Sequence, residues 1–278
     1  MQDVFAYCAE LVRTADRDRY LAALFAPAAH RGALFALHAF NSEVARVREA
    51  AREPLPGEIR LQWWREVLRG ERDGEASANP VASALRETIA RHGLDAGALI
   101  DLIEAHRFDL YDEPMQAIAD LEDYVRKSSS ALFALTVKIL CGIDVKEAAE
   151  PAGMAYGISA LLRAFPLHAA RGQLYVPLEL LERHDVQTSD VLGGRPSAGL
   201  NAALADLREL ARRHLSASRQ TVPALPQDAL PAFLPVALVG PSLKRLERCD
   251  ALSPVEIPQW RRQWLIWRAA HDPARIAR

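Results

Sequence analysis

Pro151-Ala152-Gly153-Met154-Ala155-Tyr156-Gly157-Ile158-Ser159-Ala160-Leu161-Leu162-Arg163-Ala164 contains no run of β-branched residues and no steady alternation of apolar with polar side chains. Alanine and leucine dominate it, so it reads as a helix. The same balance holds along the chain in both directions, and the expected class is all-α. Upstream, Pro27 sits where a helix start tolerates proline, and a long run from about Ala28 to Arg52 follows until Pro54 and Pro56 stop it. Leu34, Leu37, Val44 and Val47 share one stripe of that run. A helix covers Leu61 to Leu68, and Asn79-Pro80 opens another in which Asn79 caps Val81 to Arg91 and Gly93 ends the segment. Asp95 or a neighbour starts a helix through Tyr111, and a further one spans Asp120 to Leu140.

Downstream, Gly193-Gly194-Arg195-Pro196 reads as a loop before an amphipathic helix from Asn201 to Arg219. Thr221 to Pro235 carries four prolines and is expected to be an irregular connection. The last helix covers roughly Pro258 to Ala270, and its Trp260, Trp264 and Trp267 share a face that is expected to pack on the core, with a partner or membrane surface as the alternative. Trp63 and Trp64 point about 100° apart on a helix, so at least one of them belongs to the core. Glu104, Asp109, Asp112 and Glu113 read as a solvated acidic face and not as a metal site. No repeat, low-complexity segment or composition break divides the chain.

The 278 residues hold 34 Lys and Arg against 36 Asp and Glu, a net charge of −2 that argues against a nucleic-acid partner. Half the residues are apolar and a quarter charged, which excludes disordered, collagenous and disulfide-scaffold classes. Cys8, Cys141 and Cys249 are widely spaced, so neither a disulfide framework nor a cysteine zinc site is expected and a reducing compartment is the simpler reading. Apolar runs such as Leu21 to Ala29 and Ala229 to Val239 fall short of the roughly 18 residues a membrane span needs. Met1-Gln2-Asp3 lacks the basic and apolar lead of a signal or transit peptide. The expected location is cytoplasmic.

Three stretches carry a family resemblance. The first is Ala33-Leu34-Phe35-Ala36-Leu37-His38-Ala39-Phe40-Asn41-Ser42-Glu43-Val44-Ala45-Arg46. The second runs from Gly153 to Pro177 through Leu161-Leu162-Arg163 and Arg171-Gly172-Gln173-Leu174-Tyr175-Val176-Pro177, and the third is Leu121-Glu122-Asp123-Tyr124-Val125-Arg126-Lys127-Ser128-Ser129-Ser130-Ala131-Leu132. Together they resemble the squalene/phytoene synthase family, head-to-head prenyl transferases that join two allylic diphosphates. The resemblance implies an isoprenoid-synthase-type helical bundle with a central cavity, a single domain over residues 1–278.

In active members, a D-D-x-x-D motif sets carboxylates at i and i+4 on one helix face, where they jointly hold Mg²⁺ against a diphosphate. Ser42, Glu43 and Arg46 stand at those places here, leaving one carboxylate and a cation where a ligand is required. In the second stretch the family's asparagine and two aspartates correspond to Ala160, Ala164 and His168. Alanine offers Mg²⁺ no lone pair, and histidine is a poor ligand for a hard cation. No metal and no cofactor are therefore expected.

The wording of Ala39 to Val47, Arg60-Leu61-Gln62-Trp63-Trp64, Asn79-Pro80-Val81-Ala82 and Leu162 to His168 is similar to the degenerate subfamily of the respiratory complex I assembly factor related to phytoene synthase. That resemblance implies a pseudoenzyme acting as a complex I assembly factor or a prenyl- or lipid-binding protein. Its implied partners are complex I subunits or assembly intermediates, with a prenyl or lipid ligand in the former substrate cavity and peripheral contact at the inner membrane. Asn41 and Glu43 would face the bundle interior, where a buried carboxylate needs a partner such as Arg46 or Arg163. Arg31, Arg163 and Arg171 are candidate anion forks, Tyr124 and Tyr175 candidate cavity residues, and His168 a titratable or simply hydrogen-bonded ring. The competing reading is an active head-to-head prenyl transferase of isoprenoid biosynthesis, with Mg²⁺ held by Glu43 and acids displaced to Asp109, Asp112 or Asp123. A third is an apolar-ligand carrier with a continuous cavity lined by Phe35, Leu132 and Leu161.

Overall fold

Short polar side chains at helix starts and glycines at helix ends partition this chain. In the computed structural model, which describes residues 3–51 and 53–277, Asp3 accepts from the backbone N–H of Phe5 and caps α1 (Val4–Ala15). Asp16 likewise caps α2 (Arg17–Ala23). Pro27 precedes α3 (Ala28–Ala45), which breaks at Arg46 before the single turn α4 (Val47–Ala50). The expected end of that run, Arg52, lies outside the described residues, as do Met1 and Gln2. Pro54 opens α5 (Pro54–Arg69) as a first-turn residue, since its missing N–H would have had no helical partner there. α6 (Asp73–Ala78) follows. Asn79 caps α7 (Pro80–His92), which Gly93 ends at φ 60°, and Asp95 caps α8 (Ala96–Arg107).

Phe108–Leu110 tightens into a 3₁₀ turn. The helix expected over Asp120 to Leu140 is α9 (Ile118–Val125) and α10 (Ala131–Cys141), joined by a π turn at Arg126–Ser130. α11 (Lys146–Ala170) runs beyond the expected end at Ala164 and through Pro166. Burial of Leu162, Phe165 and Ala169 on one face outweighs the roughly 3 kcal/mol that an interior proline costs. α12 (Leu178–Arg183), α13 (Thr188–Leu192) and the long α14 (Ala198–Thr221), capped by Ser197, come next. Thr221 to Pro235 is not irregular: it forms 3₁₀ turns at Val222–Ala224 and Gln227–Leu238, which bury Phe233, Leu234 and Val236 while Pro231 and Pro235 bar an α-helix. α15 (Val239–Leu246) and α16 (Gln259–His271) complete the described helices, and no strand occurs among the described residues.

α11 is the axis of the molecule. Every residue from Ala152 to Ser159 is buried, which a helix achieves only when it is enclosed on all sides. α14, α10, α15 and the π turn surround it. The π turn comes unusually close: a Cβ on Gly153 would lie 2.3 Å from the Ser130 Cα, and one on Gly157 would lie 2.5 Å from a Val125 methyl. α1, α3 and α7 pack into one side of the bundle, α5 lies on α8, and α16 covers the Gln227–Leu238 turns.

Trp64 is buried, in agreement with the expectation for the Trp63-Trp64 pair. The tryptophan stripe of α16 is not in the core. Trp260, Trp264 and Trp267 are 70%, 45% and 52% exposed, and the buried face of this helix is supplied by Ile266 and Ala269. No described helix is long and apolar enough to cross a membrane.

Candidate functional site

α3 carries the first motif positions. The Ser42 hydroxyl is buried and donates to the His38 carbonyl at 2.8 Å, so it is spent within its own helix. Burial raises the Glu43 carboxyl above its ordinary range, while Arg60 at 3.6 Å opposes that rise. The expected partners of Glu43, Arg46 and Arg163, lie elsewhere. Arg46 stands where the helix ends and donates to Glu49 at 2.8 Å. Asn41 is buried on the same helix. Arg31 turns back to donate to the Ala26 carbonyl at 2.9 Å and so braces the turn into α3.

α11 carries the second motif positions. Ala160 and Ala164 are half-buried and offer no donor atom, and His168 packs its ring 4.6 Å from that of Tyr175. Burial pushes the His168 ring below its ordinary value, and its Nδ1 has no hydrogen-bond partner among the described residues. Arg171 reaches Glu49 at 2.9 Å. Glu49 thus joins Arg46, at the end of the first motif, to Arg171, just past the second, and the two guanidiniums hold its carboxyl below the usual range. Arg163 points instead toward Asp18, whose carboxylate also receives the Tyr156 hydroxyl at 3.0 Å and pairs with Arg262 at 2.9 Å.

Tyr124 and Tyr175 meet at Asp109. The Tyr175 hydroxyl donates to Asp109 Oδ1 at 2.6 Å, the Tyr124 hydroxyl lies 3.1 Å from the same oxygen, and His106 Nδ1 lies 2.6 Å from Oδ2. The Gln173 side chain and Arg48 donate to the backbone carbonyls of Asp109 and Leu110. Desolvation, then the Asp109 charge, raises the ionisation of both tyrosines well above its ordinary value, so they remain hydroxyl donors.

The expectation of a solvated acidic face therefore fails at Asp109, which is 4% exposed. Asp109 falls three residues after buried His106 and seven after buried Leu102, so it continues the stripe that α8 turns to the core. Sequence reasoning weighed Asp109 only as part of an acidic face or as a displaced metal-binding acid, and it missed His106, Asp18 and Glu49; the three-residue spacing of His106 and Asp109 on the buried stripe of α8 was the available signal for that pair. Of the other displaced acids weighed for a prenyl transferase, Asp112 is exposed and paired with Arg48, and Asp123 is paired with Lys127 at 2.6 Å.

This donor set does not fit Mg²⁺. Glu43 and Glu49 are engaged by arginines, the Asp109 carboxylate is filled by two tyrosines and a histidine, and Ser42, Ala160 and Ala164 bring no charge. Among the described residues no three His, Cys, Asp or Glu side chains converge on a common point. The bundle interior is also nearly closed. A cavity against Leu161, Phe165, His168 and Tyr175 and a separate one against Leu34, His38, Leu132 and Phe133 each have a volume of about 10 Å³. That is room for about one water, whereas a small-molecule site takes some 300 Å³ or more. The two share no lining residue, so among the described residues Leu132 and Leu161 lie against separate cavities and Phe35, which stacks on Tyr20, lines neither.

The helical order, the axial α11 and the register of the two motif helices define an isoprenoid-synthase-type bundle. The chain belongs to the squalene/phytoene synthase family, whose family model matches residues 12–268. It is 32% identical over 250 residues to the NADH dehydrogenase (ubiquinone) complex I, assembly factor 6 of Rattus norvegicus, covering 89% of this chain and 75% of that one. The Homo sapiens protein of the same name is also 32% identical, over 88% of this chain and 74% of its own. Similarity to the 15-cis-phytoene synthase of a Synechocystis strain is lower, 22% over 82% of this chain and 72% of that one. Among solved structures, a dehydrosqualene synthase superposes with a TM-score of 0.81 at 18% identity, over 97% of this chain and 96% of its own. The squalene synthase HpnC from Alicyclobacillus acidocaldarius superposes with a TM-score of 0.76 at 24% identity, over 88% and 93%.

Proposed function

We propose that the chain is a non-catalytic member of its family that works in the assembly of respiratory complex I, in contact with subunits or assembly intermediates of that enzyme. The observation that carries the non-catalytic part is the Arg46–Glu49–Arg171 bridge, which ties the two former metal-binding segments together with the charges a metal and diphosphate would need. Identity of 32% to proteins named as complex I assembly factors supports the assembly part. The reading requires no cofactor. It places the protein in the cytoplasm, peripheral on the inner membrane. Interior cavities of about 10 Å³ argue against a prenyl tail lodged in the former substrate site.

Titration calorimetry with farnesyl diphosphate is expected to give the same weak or absent heat with and without Mg²⁺. Tight binding that appears only with Mg²⁺ would overturn the non-catalytic reading. Deletion of the gene is expected to lower the amount of assembled complex I. A deletion strain with normal complex I and a missing isoprenoid would overturn the assembly reading.

A further inference from the structure

α14, α15, α16 and the turn after α15 enclose a surface cleft of about 1180 Å³ that no residue of α3 or α11 lines. Nine lysines and arginines line it against two glutamates, in a chain whose net charge is −2. Arg212 is neutralised by Glu209 and Glu247, and Arg275 by Asp272. The remaining seven have no carboxylate partner among the described residues. Arg213 and Arg219 come from α14, Lys244, Arg245 and Arg248 from α15 and its exit, and Arg261 and Arg268 from α16. Like charges gathered without counter-charges repel one another, and an anion placed among them relieves that repulsion.

The α16 wall of this cleft carries exposed aromatic rings on its adjoining face. Arg261, Leu265 and Arg268 line the cleft, and each follows one of the exposed tryptophans Trp260, Trp264 and Trp267 by a single residue. At about 100° per residue the cationic stripe and the indole stripe are adjacent faces of one helix. They touch, since the Arg268 guanidinium lies 4.3 Å from the centre of the Trp264 ring. A cationic cleft bordered by outward indoles matches an anionic bilayer surface, where phosphodiesters lie beside the acyl boundary that tryptophan prefers. A soluble anion would use the arginines and leave the indoles in water.

We propose that this edge of the protein is a membrane-docking surface for anionic phospholipid, with headgroup phosphodiesters in the cleft and Trp260, Trp264 and Trp267 seated in the interface. The inference rests on the peripheral placement given above and identifies the surface responsible. The test is sedimentation of the purified full chain with vesicles of phosphatidylcholine alone and of phosphatidylcholine in which a third of the lipid is phosphatidylglycerol. Binding is expected to the anionic vesicles and to be weaker by at least about tenfold on the neutral ones, and to fall as salt is raised.

Lys244, Arg245 and Arg248 are exposed, so the triple change Lys244→Gln, Arg245→Gln, Arg248→Gln leaves the fold intact and is expected to weaken anionic-vesicle binding about a hundredfold. Trp260→Ser with Trp267→Ser is expected to weaken it while preserving the salt dependence. Inorganic phosphate matched in concentration to the lipid phosphodiester is expected not to displace the protein. Displacement by phosphate would reduce the cleft to a soluble-anion site and overturn the proposal. Absence of binding to anionic vesicles, or binding unaffected by both sets of substitutions, also overturns it, the first leaving the cleft to an acidic protein. Vesicle binding is read on the protein alone, so its failure is distinguishable from failure of the assembly role, which is read as complex I content.

Discussion

Asp109 is a single carboxylate on which three side chains and two helical segments depend. It accepts from Tyr175 and Tyr124 and lies within hydrogen-bond distance of His106, and all four groups are largely withdrawn from water. Asp109→Ala leaves those donors unsatisfied and is expected to cost about 3–5 kcal/mol of stability, measured by chemical denaturation. Tyr175→Phe removes one hydrogen bond and is expected to cost only about 1–2 kcal/mol. His38 contributes to the pH dependence. Burial, aided by the Arg19 charge, pushes its ring down to about 3 from 6.5, so the folded protein holds it neutral while the unfolded chain takes up a proton. Unfolded chains therefore bind more protons below pH 6.5, and stability falls as pH drops through that value. The loss is expected to reach roughly 2 kcal/mol by pH 5 at about 1.4 kcal/mol per pH unit, and His38→Gln is expected to flatten that part of the melting-temperature profile. Charge was the misleading cue: an aspartate near Glu104 and Asp112 reads as part of a wet face, although its spacing from Leu102 and His106 puts it on the buried stripe of α8.

At the scale of elements, boundaries with a chemical marker were readable and changes of pitch were not. Asn79 as a cap, Gly93 as a stop and Asp95 as a start all hold, because each satisfies a backbone group that the helix leaves open. The π turn at Arg126–Ser130 has no such marker, and the prolines of Gln227–Leu238 mark only the absence of an α-helix there, not the 3₁₀ turns that packing selects. The Trp260, Trp264, Trp267 spacing correctly gave one face, but which face is buried was decided by Ile266 and Ala269. Arginines interleaved with the indoles were the available signal. Gly153→Ala is expected to destabilise by about 1–3 kcal/mol, because its Cβ would meet backbone 2.3 Å away at the π turn. Gly74→Ala, with open space around it in α6, is expected to be neutral or to stabilise by up to about 1 kcal/mol. Thermal melts of the two variants separate close helix contact from simple loss of backbone freedom.

Across the whole molecule, the family's helical architecture is present, while Ser42, Arg46, Ala160, Ala164 and His168 stand where the resemblance leads one to expect metal-binding side chains. The family and its fold were legible because α3 and α11 carry apolar and small residues that fix their packing, among them Ala36, Ala39, Gly153 and Gly157. The replacement network was not, since Glu49, Asp109 and Asp18 lie outside both motifs. Restoring the acids is therefore not expected to restore a metal site. Ala164→Asp with His168→Asp is expected to gain no Mg²⁺-dependent binding of farnesyl diphosphate by calorimetry, because Ser42, Arg46 and the Glu49 bridge remain. The exposed indoles of α16 have a practical consequence as well. They are three of the chain's five tryptophans, and Trp64 alone is fully buried, so the emission of the native protein arises chiefly from rings already in contact with water. Its spectrum should lie toward long wavelength, respond strongly to a soluble quencher, and change little on denaturation. Unfolding is better followed through the far-ultraviolet ellipticity of the helices, and the fluorescence signal is left free to report on the α16 edge.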